Sequence, residues 1–190
     1  MFNILLDDYP TKWNEYEVDT DFRIGIMLSM AMTDKELSDM EKVAIIASLL
    51  FKDDFPEDSI QISECAQWFL NEWTHDNHKK GSSKEVMDFD ADQGRIYSAF
   101  LSQYRIDLNT ERMHFWKFMH LLTNLDECNF TRVVDIRNKD MNSKMTTEER
   151  KYYAKAKRTY AINKEDAKSA EDKEAENEVT NTFLSYIGKK

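Results

Sequence analysis

The sequence predicts a mainly α, multi-helix bundle-like domain, with a small N-terminal β-hairpin and a C-terminal helical appendage. Three observations carry this expectation. Only four glycines and two prolines occur in 190 residues, so long helices form easily and tight turns are few. Apolar residues recur at three- and four-residue spacing in one segment after another. Two stretches, Ser38-Asp39-Met40-Glu41 and Thr146-Thr147-Glu148-Glu149, carry capping boxes. The length suits one domain plus an appendage, and the composition divides the chain into a helical domain over 1–162 and an acidic connector with a short amphipathic end over 163–190.

Taken in order, positions 1–19 contain Pro10 and the alternating Tyr16-Glu17-Val18, which reads as a short extended or hairpin segment. Thr20 or Asp21 then caps a helix through Met32, with Phe22, Ile26 and Met30 at helical spacing. The first capping box starts a helix bearing Val43, Ile46, Ala47 and Leu50, ending near Lys52 before an acidic loop and Pro56. A third helix follows Ser63 and holds Ala66, Phe69, Leu70 and Trp73, and positions 75–87 read as a polar internal loop. Asp92 caps a helix running through Gln103-Tyr104, and Asn109 or Thr110 caps the next, which carries Met113, Trp116, Phe118 and Leu121-Leu122. Leu125 to Arg137 reads as a shorter helix. The second capping box launches a basic helix towards Tyr160. From Lys164 to Glu178 acidic residues and alanine dominate, and Val179, Phe183, Leu184 and Ile187 then recur at helical spacing.

A net charge of -10 argues against wholesale nucleic-acid binding, which needs a basic face to displace counterions from phosphate. No apolar run is long enough to cross a bilayer, and Met1 to Leu6 lead straight into Asp7-Asp8, so neither a membrane span nor a signal peptide is expected. Cys65 and Cys128 lack any Cys-x-x-Cys spacing and read as reduced thiols.

Catalytic and metal motifs are weak. Asp88-Phe89-Asp90-Ala91-Asp92 resembles the start of a calcium loop, but the sixth position is Gln93 and the twelfth Ala99, where glycine and glutamate are needed. An acidic helix start accounts for it better. His75 and His78 share a helical face with no further ligands to close a zinc shell. His114 and His120 fall on different faces of one helix, and His114 beside Trp116 reads as a packed or capping imidazole. No Gly-x-Ser-x-Gly, phosphate-binding glycine loop or His-Glu-x-x-His occurs, so a non-enzymatic protein without cofactor or metal is expected.

Two sets of residues are candidates for partner binding. Trp68, Trp73, Tyr104 and Trp116 belong to aromatic clusters that mostly build a core, and one or two are candidates for a groove that takes a partner helix. Lys151, Lys155 and Arg158 form a helical stripe beside Tyr152 and Tyr153. That stripe reads foremost as an intramolecular partner for the acidic segment 165–178, and otherwise as a docking surface for an acidic partner or nucleic acid.

Several words of the chain are specific when read together. They are Leu5-Leu6-Asp7-Asp8-Tyr9-Pro10, Asp19-Thr20-Asp21-Phe22-Arg23, Asp88 to Gln93, Tyr104-Arg105-Ile106-Asp107-Leu108, Met113 to Phe118, Ile136-Arg137, and the basic run Arg150 to Lys157. Their order resembles the bacteriophage gene-product-fifteen family of long-tailed phages, over roughly Leu5 to Ile162. Arg105 stands where a glycine is usual in that family, and Phe115 where a second tryptophan is common. The resemblance implies a tail-morphogenesis protein whose gene lies between those of the major tail protein and the tape-measure protein. That position implies a tail-assembly chaperone acting in the cytoplasm of the bacterial host. Its partners would be the tape-measure protein, the tail-tube protein and other copies of itself. The alternatives are a structural component retained in the virion tail, or a helical regulator that binds nucleic acid through residues 144–164. The resemblance implies no catalytic residues.

Overall fold

A computed structural model of the chain describes residues 2–71, 86–142 and 144–162. Among these residues lie a two-stranded antiparallel hairpin and seven α-helices. The elements are β1 (Lys12–Trp13), β2 (Tyr16–Glu17), α1 (Phe22–Thr33), α2 (Asp39–Leu50), α3 (Ser59–Asn71), α4 (Gln93–Ala99), α5 (Phe115–Thr123), α6 (Asn129–Asn138) and α7 (Thr147–Thr159). The mainly helical class and the N-terminal hairpin are as the sequence predicts. The chain forms two compact units, one drawn from Met1–Ser83 and Gln93–Asp126, the other from Lys84–Asp92 and Glu127–Lys190. The predicted connector and amphipathic end at 163–190, and the polar loop within 75–85, lie outside the described residues.

In the first unit the hairpin turns at Asn14, whose φ of 52° is a left-handed conformation that asparagine tolerates. The strand then continues along the end of α2. Asp19 N–H donates to the Leu50 carbonyl at 2.7 Å and Lys52 N–H to the Glu17 carbonyl at 3.2 Å. These bonds stop α2 at Leu50, two residues before the expected Lys52, because Phe51 must be extended to bridge Val18. Asp21 caps α1 by accepting from Arg23 N–H at 3.0 Å. Ser38 and Glu41 form the predicted capping box of α2. Helix α3 begins five residues earlier than expected. Asp58, not Ser63, supplies the start, its carboxylate accepting from Ile60 N–H at 3.0 Å.

Helix α5 also starts later than Asn109 or Thr110. Those residues instead form a turn on Asp107, whose carbonyl accepts from both Thr110 and Glu111 N–H. The chain from 111 to 113 is extended because it pairs with the entry to α1. Phe22 N–H donates to the Met113 carbonyl at 2.9 Å, and Phe115 N–H to the Thr20 carbonyl at 2.8 Å. Arg23 clamps the same loop, its guanidinium donating to the Leu108 carbonyl at 2.6 Å and the Glu111 carbonyl at 3.2 Å. Helices α1 and α5 approach closely at Gly25, where a Cβ would overlap the ring of Phe115. Inside, Phe118 stacks between Phe22 (4.9 Å) and Phe100 (5.1 Å), and Phe69 lies against Phe115 at 5.2 Å. Each such ring pair is worth about 0.5–1.5 kcal/mol beyond its burial.

Helix α4 does not run to Tyr104 as a regular helix. Its continuation, Phe100–Tyr104, is a π-turn, closed by Arg105 in the left-handed region at φ 59°. The N–H groups of Arg105 and Ile106 both reach the Phe100 carbonyl. A glycine would occupy this backbone conformation without the Cβ crowding that arginine accepts.

The second unit is organised by one buried ion pair. Arg137 of α6 grips both oxygens of Asp92, at 2.5 and 3.1 Å, with Asp92 0% and Arg137 7% exposed. The same guanidinium donates to the carbonyls of Val86 (3.2 Å) and Tyr160 (2.5 Å). Lys157 of α7 donates to the Arg137 carbonyl at 2.7 Å. Asp92 does precede a helix, as expected, but its carboxylate has this further role, which no local pattern signals. Helix α6 starts at Asn129 rather than Leu125. Residue 126 is held back by Gln103, whose side-chain oxygen accepts the Asp126 N–H at 2.9 Å. Helix α7 opens on the predicted Thr146–Glu149 box.

Two predictions follow from this packing. Gly25→Ala should lower stability by about 1–3 kcal/mol, because overpacking against Phe115 outweighs the gain in helix propensity of about 1 kcal/mol. Asp92→Ala should cost about 3–5 kcal/mol by stranding the buried guanidinium, whereas Asp92→Leu with Arg137→Met should cost far less. Urea unfolding curves of the three variants check both.

Candidate functional site

The predicted aromatic candidates are largely committed to the interior. Trp116 is buried at the first turn of α5, where its indole Nε1–H donates to the Phe69 carbonyl at 2.8 Å. Trp68 is half-buried and meets Trp116 edge-on at 5.4 Å. Tyr104 is half-buried, and its hydroxyl lies within hydrogen-bonding distance of the Leu121 (2.9 Å) and Asn124 (3.0 Å) carbonyls at the end of α5. Trp73 lies outside the described residues. The structure therefore brings Trp68 and Trp116 together but sets Tyr104 at the other end of α5.

His114 caps α5, as the sequence suggested. Its Nδ1 accepts from Trp116 N–H at 3.0 Å, and its Nε2 lies 2.8 Å from the Pro10 carbonyl. A carbonyl only accepts, so Nε2 carries the proton and the ring is neutral. Tyr9 stacks on the imidazole at 4.9 Å and Phe2 packs on Trp116 at 5.4 Å, which pins both ends of the N-terminal arm. Between them a turn on Asn3 presents Leu5 and Leu6 almost fully to solvent. Burial lowers the pKa of His114 from its ordinary value, outweighing the Pro10 carbonyl, which favours the charged ring.

Lys151, Lys155 and Arg158 are exposed along one stripe of α7, with Tyr152 beside them. The acidic segment 165–178, their expected intramolecular partner, lies outside the described residues.

The open apolar surface lies elsewhere, on α2 and α3. Met40, Val43, Ala44 and Ala47 of α2, with Phe55 and Ile62, line a groove of about 410 Å³. Met40 is 84% and Phe55 53% exposed, and Ile60 of α3 is 65% exposed. Met27 and Met30 are also exposed, on α1, the helix against which α2 packs. Local patterning put Val43, Ile46, Ala47 and Leu50 on one face, and helical periodicity identifies an apolar stripe but not what covers it. Here Ile46 and Leu50 take the core and Val43 and Ala47 are left at its edge. Signals that could have marked the groove are Phe55 and Ile60 among acidic residues, where no core pattern calls for them.

Cys65 is a free thiol that burial pushes up to about 12, so it is not a nucleophile at neutral pH. Among the described residues no three His, Cys, Asp or Glu side chains group in a way that could hold a metal ion. No described helix is long and apolar enough to cross a membrane.

These features define a mainly helical protein whose distinctive surfaces are an apolar groove and a basic helix. The chain matches the family described as Bacteriophage Gp15 protein over residues 4–162, and it belongs to that family. It is thus a phage structural or morphogenesis protein. No curated protein matches it, and no solved structure does.

The lowered pKa of His114 has a consequence for stability. In the unfolded chain imidazole titrates near about 6.5. The folded value is lower, so this group's contribution is full above that pH and is lost as pH falls through the folded value. His114→Asn keeps a capping acceptor without the titration. Urea midpoints followed from about pH 7 to about pH 5 should fall more steeply for the wild-type chain than for this variant.

Proposed function

We propose that this phage protein is a tail-assembly chaperone that holds apolar helical stripes of the tape-measure protein. It acts in the host cytoplasm, by binding and without catalysis. The observation that supports this most is the methionine-edged groove on α2 and α3. A long helix laid along it would bury one apolar stripe in the way helix-in-groove complexes do. Methionine is unbranched and polarizable, so one groove can fit successive and unequal turns of a long client. The acidic surface of a chain with net charge -10 would keep such a complex dispersed until tail-tube subunits replace the chaperone.

Met40→Glu combined with Ala44→Glu places two charges on exposed positions of the groove and leaves the core untouched. Co-expression with the tape-measure protein of the same phage should give a soluble complex with wild-type protein. With the double variant, affinity should fall at least about tenfold, equivalent to about 1.4 kcal/mol, while the helical circular dichroism of the free protein stays unchanged. A tape-measure protein that never co-purifies, together with stoichiometric recovery of this chain from purified virions, would overturn the reading in favour of a structural tail component.

A further inference from the structure

The groove and helix α7 carry opposite charge. Phe55, which walls the groove, is flanked by Asp53 and Asp54 on one side and, after Pro56, by Glu57 and Asp58 on the other. All four carboxylates are exposed, and Asp39 lies exposed beside Met40 at the start of α2. None of these five carboxylates forms an ion pair with another of the described residues. The nearby cations are Lys52, and Lys42, whose ammonium donates to the Met32 carbonyl at 3.2 Å. Helix α7 shows the converse surface. Its outer stripe consists of Lys151, Tyr152, Lys155 and Arg158, with Tyr152 62% exposed. It has no buried residue at all, although it is 13 residues long. At about 1.5 Å per residue it spans about 20 Å, the length of α2.

We propose that α7 of one copy docks into the acidic-rimmed α2–α3 groove of a second copy, with Tyr152 in the apolar floor and the three cations against the rim. A tyrosine ringed by charges is a common anchor of such contacts. Leu5-Leu6, the most exposed apolar pair outside the groove, is followed by Asp7 and Asp8, so its own charge disfavours the same rim. Because α7 and the groove are different surfaces, the contact joins unlike patches, either reciprocally within a closed pair or head to tail in a ring or filament. One helix seated in one groove is a small interface, and the charges make it salt-dependent. The contact uses the groove assigned above to the client but does not need the client to exist. It would keep that groove covered until a client helix displaces α7.

The test is sedimentation velocity of the full chain over a range of concentrations at low and high salt. Wild-type protein should self-associate at low salt and dissociate as salt rises. The α7 variant Lys151→Glu, Lys155→Glu, Arg158→Glu should lower association at least tenfold. So should the rim variant Asp53→Lys, Asp54→Lys, Glu57→Lys. Mixing the two variants should restore association, because the intact α7 of one meets the intact rim of the other and the reversed charges are themselves complementary. A wild-type chain that stays monomeric at every concentration overturns the proposal. So does an α7 variant that associates as well as wild type, or a mixture that does not recover. Nucleic-acid binding lost in the α7 variant while self-association is unchanged would assign the stripe to nucleic acid and equally overturn it. Co-purification of the tape-measure protein with the α7 variant reports on the client separately, since that variant keeps the groove intact.

Discussion

The first unit depends on a short backbone pairing between the entry to α1 and the entry to α5. Phe22 donates to Met113 and Phe115 to Thr20, so two helix starts nearly a hundred residues apart in sequence are held side by side. The bare face of Gly25 lets Phe115 enter. Trp116, one residue on, is fixed to α3 through the Phe69 carbonyl. His114, one residue back, caps the helix and latches the N-terminal arm through Pro10 and Tyr9. Three consecutive side chains therefore tie together α1, α3, α5 and the arm. Each buried polar atom among them has a defined partner, as a packed interior requires.

That arrangement explains where binding surface is left. The large aromatics at the centre are engaged with one another, and the open groove is instead contributed by smaller or more flexible residues: Met40, Val43, Ala44 and Ala47, with Phe55 as a wall. A surface of this kind suits a partner whose details vary along its length. In the second unit the Asp92–Arg137 pair does comparable work. It gathers residues 86–92, α6 and the end of α7 around one guanidinium, and so α7 is held at its end while Lys151, Tyr152, Lys155 and Arg158 on its outer face are exposed.

Much of this was legible in the sequence where the determinant is local. The boxes at Ser38 and Thr146, the cap at Asp21 and the hairpin before it follow from residue type and spacing within one turn of chain. The capping reading of His114 followed from its place beside an apolar helical run. Apart from the start of α3, which the nearby Asp58 decides, the errors are places where a distant segment decides. α5 starts at Phe115 because Met113 pairs with Phe22, α6 starts at Asn129 because Gln103 holds Asp126, and α2 stops at Leu50 because Asp19 takes its carbonyl. The role of Asp92 was hidden for the same reason, its partner lying 45 residues away. The groove was missed because a helical stripe looks alike in sequence whether it is covered or bare. Family membership was readable from ordered words such as Tyr104 to Leu108, and the left-handed backbone at Arg105 gives a physical reason for a glycine there.

The central claim is that function resides in the α2–α3 groove and not in the aromatic cluster. Hydrogen–deuterium exchange of the protein, free and in complex with the tape-measure protein, tests it most directly. The account predicts slowed exchange across α2 and around Phe55, with residues 115–123 unchanged. Protection confined to other segments, with α2 exchanging as in the free protein, would contradict it.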